Sequence, residues 1–431
     1  MSKIVNFFKG HPTEDLLPAR EILQASQSVL QKVIGEPNAW DDVNRHPLTY
    51  GADPGNLDTR KVVAEWIDRL FSHTIPTNPE CINMTAGASY GIMNILAQTT
   101  SPHNGVTRRA FITSPTYFLI NGTFIDMGFS GKLTAIEEYS SGDIDLVGLE
   151  KQLKHYDSIQ PVPTTVTKDH ISQIHDPKRD LKKIYRYVVY LTPTYSNPRG
   201  GTVSLECRKR LIELARKYDM LIICDDVYDL LSYESGARFL PRFVHLDRAT
   251  AVNEYGNTIS NGSFSKLLGA GLRVGWQETV SPKMSLTLAS GGANRSGGTP
   301  SQFNSILVEE LIKSGAIDEI VRDLIKVYAE RVDVFRESTR EHLPEGTQID
   351  GGQGGYFLWV TLPEGYDMKA IVAECKTRGV ILAGGENFEV EGDSKDWGDR
   401  SCRCSISYLT SEQIKAGIAV WGEVCKKFQR S

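Results

Sequence analysis

The sequence lacks most of the features that would place it outside soluble small-molecule chemistry. No apolar run approaches the twenty or so residues of a membrane-spanning helix. The segment from Met1 to Gly10 has neither the apolar core of a secretory leader nor an Arg-rich amphipathic pattern. The 7 cysteines are odd in number, scattered, and free of any C-x-x-C pair, and the 9 histidines show no metal-ligand spacing. These absences point to reduced thiols, a cytoplasmic setting and no bound metal. Basic charge is also missing: 48 Lys and Arg stand against 53 Asp and Glu, a net charge of −5, which gives no electrostatic case for nucleic acid or an acidic membrane. No internal repeat is present. A length of 431 residues with 40% hydrophobic side chains is enough for two domains and a sizeable core.

One local absence is more informative. Between Glu254 and Arg273 the only charged side chain is Lys266, set among small and apolar residues in Ser263-Phe264-Ser265-Lys266-Leu267-Leu268-Gly269-Ala270-Gly271-Leu272-Arg273. Desolvation disfavours the ammonium form, and an uncharged lysine amine is a nucleophile toward an aldehyde. Ser263 and Ser265 point the same way if they end a strand, and the glycines let Arg273 fold back toward them. Two hydroxyls and a guanidinium beside a lysine amine suit an aldehyde that carries a phosphate, which describes pyridoxal phosphate. Two other readings compete. One is a surface lysine beside a flexible loop; the other is a dinucleotide loop at Gly269-Ala270-Gly271 and Gly275, whose spacing is off by one.

Along the chain, an extended leader turns at Gly10-His11-Pro12, and a helix follows from about Ala19, where Arg20 reads as an ordinary solvated charge. Tyr50 precedes a glycine turn and a helix with the buried stripe Val62, Val63, Trp66, Ile67 and Leu70; taken alone it reads as a core aromatic. A strand over Cys81–Thr85 leads through Gly87-Ala88-Ser89 into a helix, whose first free N–H groups attract a phosphate. A strand over Ala110–Thr113 leads to Pro115 and Tyr117. Residues 155–183 are polar and aperiodic, a surface insertion between an Asp145–Lys154 helix and a strand Tyr187–Leu191. That strand opens into Pro193-Thr194-Tyr195-Ser196-Asn197-Pro198-Arg199-Gly200, a loop at the sheet edge where open α/β folds bind ligands. The buried strand Met220–Cys224 ends at Asp225-Asp226-Val227-Tyr228. A carboxylate there can hold a proton on a pyridine nitrogen, while Asp226 reads as a turn or helix cap. Thr299-Pro300-Ser301-Gln302 starts a helix, and from about Ile317 a second α/β unit follows, with a strand over Gly354–Leu362. In Cys402-Arg403-Cys404-Ser405-Ile406, Cys402, Cys404 and Ile406 share one strand face and Arg403 the other, ahead of a Ser-capped helix. The planar fork of Arg403 suits a carboxylate.

These segments, in this order over residues 7–410, resemble the fold-type I pyridoxal phosphate enzymes, specifically the class I/II aminotransferases of the 2-aminoadipate and aromatic branch. The resemblance implies an α/β fold with a mostly parallel seven-stranded sheet in a large domain, 48–315, and a small domain built from 1–47 and 316–431. It implies a homodimer with active sites at the subunit interface, crossed near Thr299, in which Tyr50 reaches the phosphate of the neighbouring subunit's cofactor. Tyr117 would stack on the pyridine ring, Asn197 and Tyr228 would bond its ring oxygen, and Asp225 its nitrogen. Gly87, Ala88, Ser89, Ser263, Ser265 and Arg273 would hold the phosphate. Lys266 would carry the cofactor, and Arg403 would bind the substrate α-carboxylate with Gly10 nearby. The activity implied is transfer of an amino group from an L-amino acid to a 2-oxo acid, 2-oxoglutarate, in a ping-pong cycle. A lyase or synthase of the same fold shares every one of these residues. A regulatory module like the aminotransferase-like transcription factors is opposed by the lack of basic charge and of room for a DNA-binding domain before Gly10, and a binding-only relic by the complete residue set.

Overall fold

The computed structural model describes residues 4–428 apart from 37, 72–73, 160–181, 235 and 237–238. Among the described residues, thirteen short strands fall into three sheets. β1 (Val5–Asn6) belongs to the leader. β2 (Ile82–Thr85), β3 (Arg109–Ser114), β4 (Leu133–Glu137), β5 (Tyr187–Leu191), β6 (Met220–Asp226), β7 (Thr258–Ser263) and β8 (Gly275–Thr279) form a seven-stranded sheet in the order β2-β8-β7-β6-β5-β3-β4. β8 alone runs against the rest.

β5 and β6 are apolar without alternation because both faces of this sheet are covered. Phe111, Val189, Ile222 and Cys224 enter one hydrophobic cluster, with the Leu205–Lys217 helix, whose N-terminus Ser204 caps by accepting from the Cys207 N–H. Ile112, Val188, Tyr190, Leu221 and Ile223 enter another on the opposite face, with the Ala88–Thr99 helix. This two-residue period also sorts the two aspartates, Asp225 continuing the row of Leu221 and Ile223, and Asp226 that of Ile222 and Cys224. The strand therefore runs two residues past the expected end at Cys224. Asp226 is neither a turn residue nor a helix cap: it is a buried strand residue, paired with Gly262 of β7 and bonded by the Ser260 hydroxyl.

The second sheet is antiparallel and four-stranded, β12-β13-β10-β9, made of β9 (Gln348–Gly351), β10 (Phe357–Thr361), β12 (Ala383–Gly384) and β13 (Ser401–Ser405). β1 pairs in parallel with β11 (Val380–Ile381), which ties the leader to this half of the molecule. The Ala316–His342 and Ser411–Cys425 helices pack on each other beside it. The latter is capped by Thr410 in a capping box with Gln413, not by a serine. The strand expected over 354–362 is shorter, because Gly355 takes a positive φ of 72° that a regular strand does not accommodate. The Leu146–Ile159 helix absorbs the start of the expected 155–183 insertion, and 160–181 lie outside the described residues. Arg20 is exposed on the Ala19–Gly35 helix.

Candidate active site

The C-terminal ends of β2, β3, β5, β6 and β7 meet at one edge of the large sheet, facing β10 and β13. A cavity of about 330 Å³ opens there. Of the residues that the resemblance assigns to cofactor or substrate, all but Gly87 and Tyr50 line it.

Lys266 sits on a single helical turn, Phe264–Lys266, directly after β7. Its amine donates to the Gly10 carbonyl at 3.2 Å, and its backbone carbonyl accepts from the Tyr356 hydroxyl at 2.8 Å. Burial first, and the Arg403 and Arg273 guanidiniums after it, bring the amine down to about 8, with Asp225 pulling the other way. The uncharged fraction of the amine near neutral pH is therefore far larger than that of an ordinary lysine, although the ammonium still predominates.

Asp225 is buried at the end of β6. It accepts from the Tyr190 hydroxyl at 2.8 Å and the Asn261 amide at 3.3 Å. Burial pushes its carboxyl up to about 6, while these two donors and Lys266 favour the charged form. A buried carboxylate of this kind gains from a cationic ring N–H. Asn261 was not picked out in the sequence, although it stands two residues before Ser263 and so shares its strand face. Its other amide bond goes to the Ala88 carbonyl at 3.0 Å. Gly91 makes that approach possible: a Cβ there would lie 2.0 Å from Asn261 Oδ1. Tyr228 is buried beside Tyr356 and Phe357, its hydroxyl pushed up by burial.

At the other end of the cavity Ser263 and Ser265 place their hydroxyls 2.9 Å apart, and the Arg273 guanidinium reaches Ser265 Oγ at 3.4 Å. Arg273 has a left-handed backbone, φ 54°, unusual for a non-glycine residue and a common mark of functional sites. Its Nη2 donates to the Ala86 carbonyl at 3.0 Å. A Cβ on Gly87, where φ is 91°, would come within 2.7 Å of that nitrogen, so glycine is required where the chain turns into the Ala88–Thr99 helix. No side chain caps this helix, which leaves its first N–H groups facing the two hydroxyls and the guanidinium.

Arg403 projects from β13 into the cavity, while Cys402 and Cys404 belong to the core on the far face. Its Nη1 donates to Asn197 Oδ1 at 2.9 Å and its Nη2 to the Phe8 carbonyl at 2.6 Å. The rings of Phe357, Phe388 and Phe8 stand 4.1, 4.7 and 5.5 Å from the guanidinium carbon. Burial brings the guanidinium down to about 10. Its Nε is buried with no partner among the described residues, a donor that a bound carboxylate would satisfy. The sequence did not single out these phenylalanines. Phe8 lies two residues from Gly10, a visible hint, whereas Phe388 comes from a short helical turn with no signal of its own. Tyr117 lines the cavity after β3. Tyr50 is no core residue: it is 75% exposed, because among the described residues none covers its side chain.

The donor set fits pyridoxal phosphate: a partly neutral lysine amine, a buried carboxylate, and a separate cluster of hydroxyls, amides and a guanidinium for the phosphate. Among the described residues no group of three or more His, Cys, Asp or Glu could hold a metal ion, and no helix is long and apolar enough to cross a membrane.

The uncharacterized protein YER152C of Saccharomyces cerevisiae is 47% identical over 98% of this chain and 97% of its own length. The aromatic-amino-acid aminotransferase 1 of Thermococcus litoralis is 26% identical over 99% of this chain and 89% of its own. The fold is that of LysN, the alpha-aminoadipate aminotransferase of Thermus thermophilus, with a TM-score of 0.74 at 24% identity, over 99% of this chain and 92% of that one. The pattern of aminotransferase class I and II matches residues 21–420, and the chain belongs to that family of pyridoxal phosphate-dependent transaminases.

Proposed function

We propose that the protein moves an amino group from an L-amino acid to 2-oxoglutarate in two half-reactions at one site. The observation that carries this reading is the Arg403 guanidinium, ringed by phenylalanines with its Nε unpaired, in the same cavity as Lys266. A charged fork held in apolar surroundings binds a carboxylate far better than one in water.

Bound there, pyridoxal phosphate supplies an aldehyde that takes up the amino group and a ring that draws electrons from the substrate α-carbon. Lys266 would bind the cofactor and serve as general base and acid for the α-proton. Asp225 would hold a proton on the ring nitrogen, with Asn197 and Tyr228 as partners for the ring oxygen and Tyr117 beside the ring. Ser263, Ser265, Arg273 and the backbone of Gly87, Ala88 and Ser89 hold the phosphate. Arg403 orients the substrate through its α-carboxylate, and Gly10 closes the cavity from the leader. The edge-to-face rings of Phe8 and Phe118, with Ile92 and Leu119, form an apolar wall that favours aromatic or long aliphatic donors. We also propose a cytoplasmic homodimer in which Tyr50 serves the neighbouring subunit's site, with a large domain over 48–315 and a small one from 1–47 and 316–431.

A panel of L-amino acids offered with 2-oxoglutarate tests the reading. Glutamate should form, fastest with aromatic or long aliphatic donors. Release of ammonia or carbon dioxide without glutamate would assign the site to lyase chemistry instead.

A further inference from the structure

Glu138 is a buried carboxyl that the chemistry above does not use. It follows β4 at the edge of the large sheet, 3% exposed, with its backbone N–H on the Ser114 carbonyl. Burial pushes its carboxyl up to about 7, with Arg199 lowering it and Asp350 raising it. A carboxyl kept in so unfavourable a place calls for a role.

Its surroundings supply one. Glu138 Oε1 accepts from the Ser196 hydroxyl at 2.6 Å, and Ser196 Oγ accepts in turn from the Gly201 N–H at 3.2 Å. Ser196 and Gly201 also pair through their backbones, closing the loop between them. The fit is close, since a Cβ on Gly201 would lie 2.9 Å from Glu138 Oε1. On its other side the same loop is held by Arg199, which donates to the Glu138 carbonyl at 2.5 Å and to Asp350 of β9 at 2.8 Å. Between these two anchors stand Asn197 and Pro198, and the Asn197 amide oxygen accepts from Arg403 Nη1 at 2.9 Å. Tyr195, at the start of the loop, has a left-handed backbone with φ 50°, which persists only where surrounding contacts hold it.

We propose that Glu138 is a positioning residue for substrate binding: through Ser196 it fixes the loop that aims Asn197 at Arg403, and so keeps the guanidinium turned toward the substrate carboxylate. The proposal rests on the reading of Arg403 given above. Glu138 touches neither substrate nor cofactor, and its effect passes through Asn197 and Arg403.

The test uses the holoenzyme, with the best donor of the panel and the amine left when its carboxylate is removed, each followed in the first half-reaction by cofactor absorbance. Glu138→Ala should lower kcat/KM for the amino acid by about 10-fold or more, mainly through KM, and leave the amine within about twofold. Ser196→Ala should behave alike. Glu138→Gln, whose amide oxygen can still accept the Ser196 proton, should restore most of the loss. In an Arg403→Ala background Glu138→Ala should cost less than about twofold, because the residue it positions is gone. Equal losses for amino acid and amine, or full additivity with Arg403→Ala, would overturn the proposal. If Glu138→Ala does not fold, Ser196→Ala decides by the same criteria, with Glu138→Gln expected to stay near wild type. An Arg403→Ala change that lowers kcat/KM for amino acid and amine by the same factor would instead overturn the carboxylate reading itself, and the proposal with it. That outcome is distinct from one where Arg403→Ala penalises the amino acid selectively and the Glu138 and Ser196 variants do not.

Discussion

Asp225 and Asp226 are adjacent in sequence and have opposite surroundings. Asp225 faces the cavity with Tyr190 and Asn261; Asp226 faces the other side of the sheet with Ser260, Arg242 and Asp229. Asp225→Ala should therefore lose most turnover while keeping bound cofactor. Asp226→Ala should change mainly stability, read by thermal unfolding beside steady-state activity, and equal turnover in wild type and Asp225→Ala would refute the assignment. Lys266 gives a pH signature. Its folded value of about 8 lies below the ordinary lysine value of 10.5, so burying the ammonium costs stability below about pH 8, and that cost fades as pH rises toward 10.5. The neutral amine is the nucleophile, so the rate at which apoprotein captures pyridoxal phosphate should rise with pH and level off above about 8. A stopped-flow profile that is flat across that range would contradict the burial argument.

At the level of strands and helices, β8 carries the other charge that matters. Glu278 is fully buried and receives Arg248 at 2.6 Å, His245 at 3.4 Å and Arg242 at 3.9 Å. Burial raises its carboxyl, but His245 and the two guanidiniums together hold it well below the usual carboxylate range. Its contribution is present above the ordinary value of 4.5 and is lost as pH falls through the folded one. Glu278→Gln would leave buried cations uncompensated at a cost of about 3–5 kcal/mol. Urea unfolding at neutral pH should show that loss, and a change well under 1 kcal/mol would show that the network is dispensable. None of this network was legible in Gly-Trp-Gln-Glu-Thr, because its partners come from the Phe243–Thr250 helix and from Arg242 just before it. By contrast β5, β6 and the helix after Gly87 could be read directly, since continuous apolar runs and glycine turns are local signals. Arg403 was equally legible, because alternation in Cys402-Arg403-Cys404 separates core from site. Asp226 was misjudged because the apolar run stops at Cys224, while pairing with β7 carries the strand onward.

At the scale of the whole molecule, Tyr50 marks where one chain does not explain itself. It is 75% exposed, on a turn with exposed Leu48, and the Ala19–Gly35 helix leaves Leu23 68% and Ile34 81% exposed. Apolar side chains so placed suit a second copy of this chain. Sedimentation should therefore find a dimer. Mixing inactive Lys266→Ala chains with Tyr50→Ala chains should regain activity, because one site of each mixed dimer holds an intact Lys266 and the partner's intact tyrosine. No gain on mixing would place Tyr50 outside the site. The central claim, that a single lysine at the end of β7 organises the chemistry, has a more direct test. The purified protein should be yellow, and reduction with borohydride followed by peptide mapping should find one phosphopyridoxyl group, on the peptide that contains Lys266. A label on any other lysine, or none on protein shown to hold the cofactor, would contradict the account.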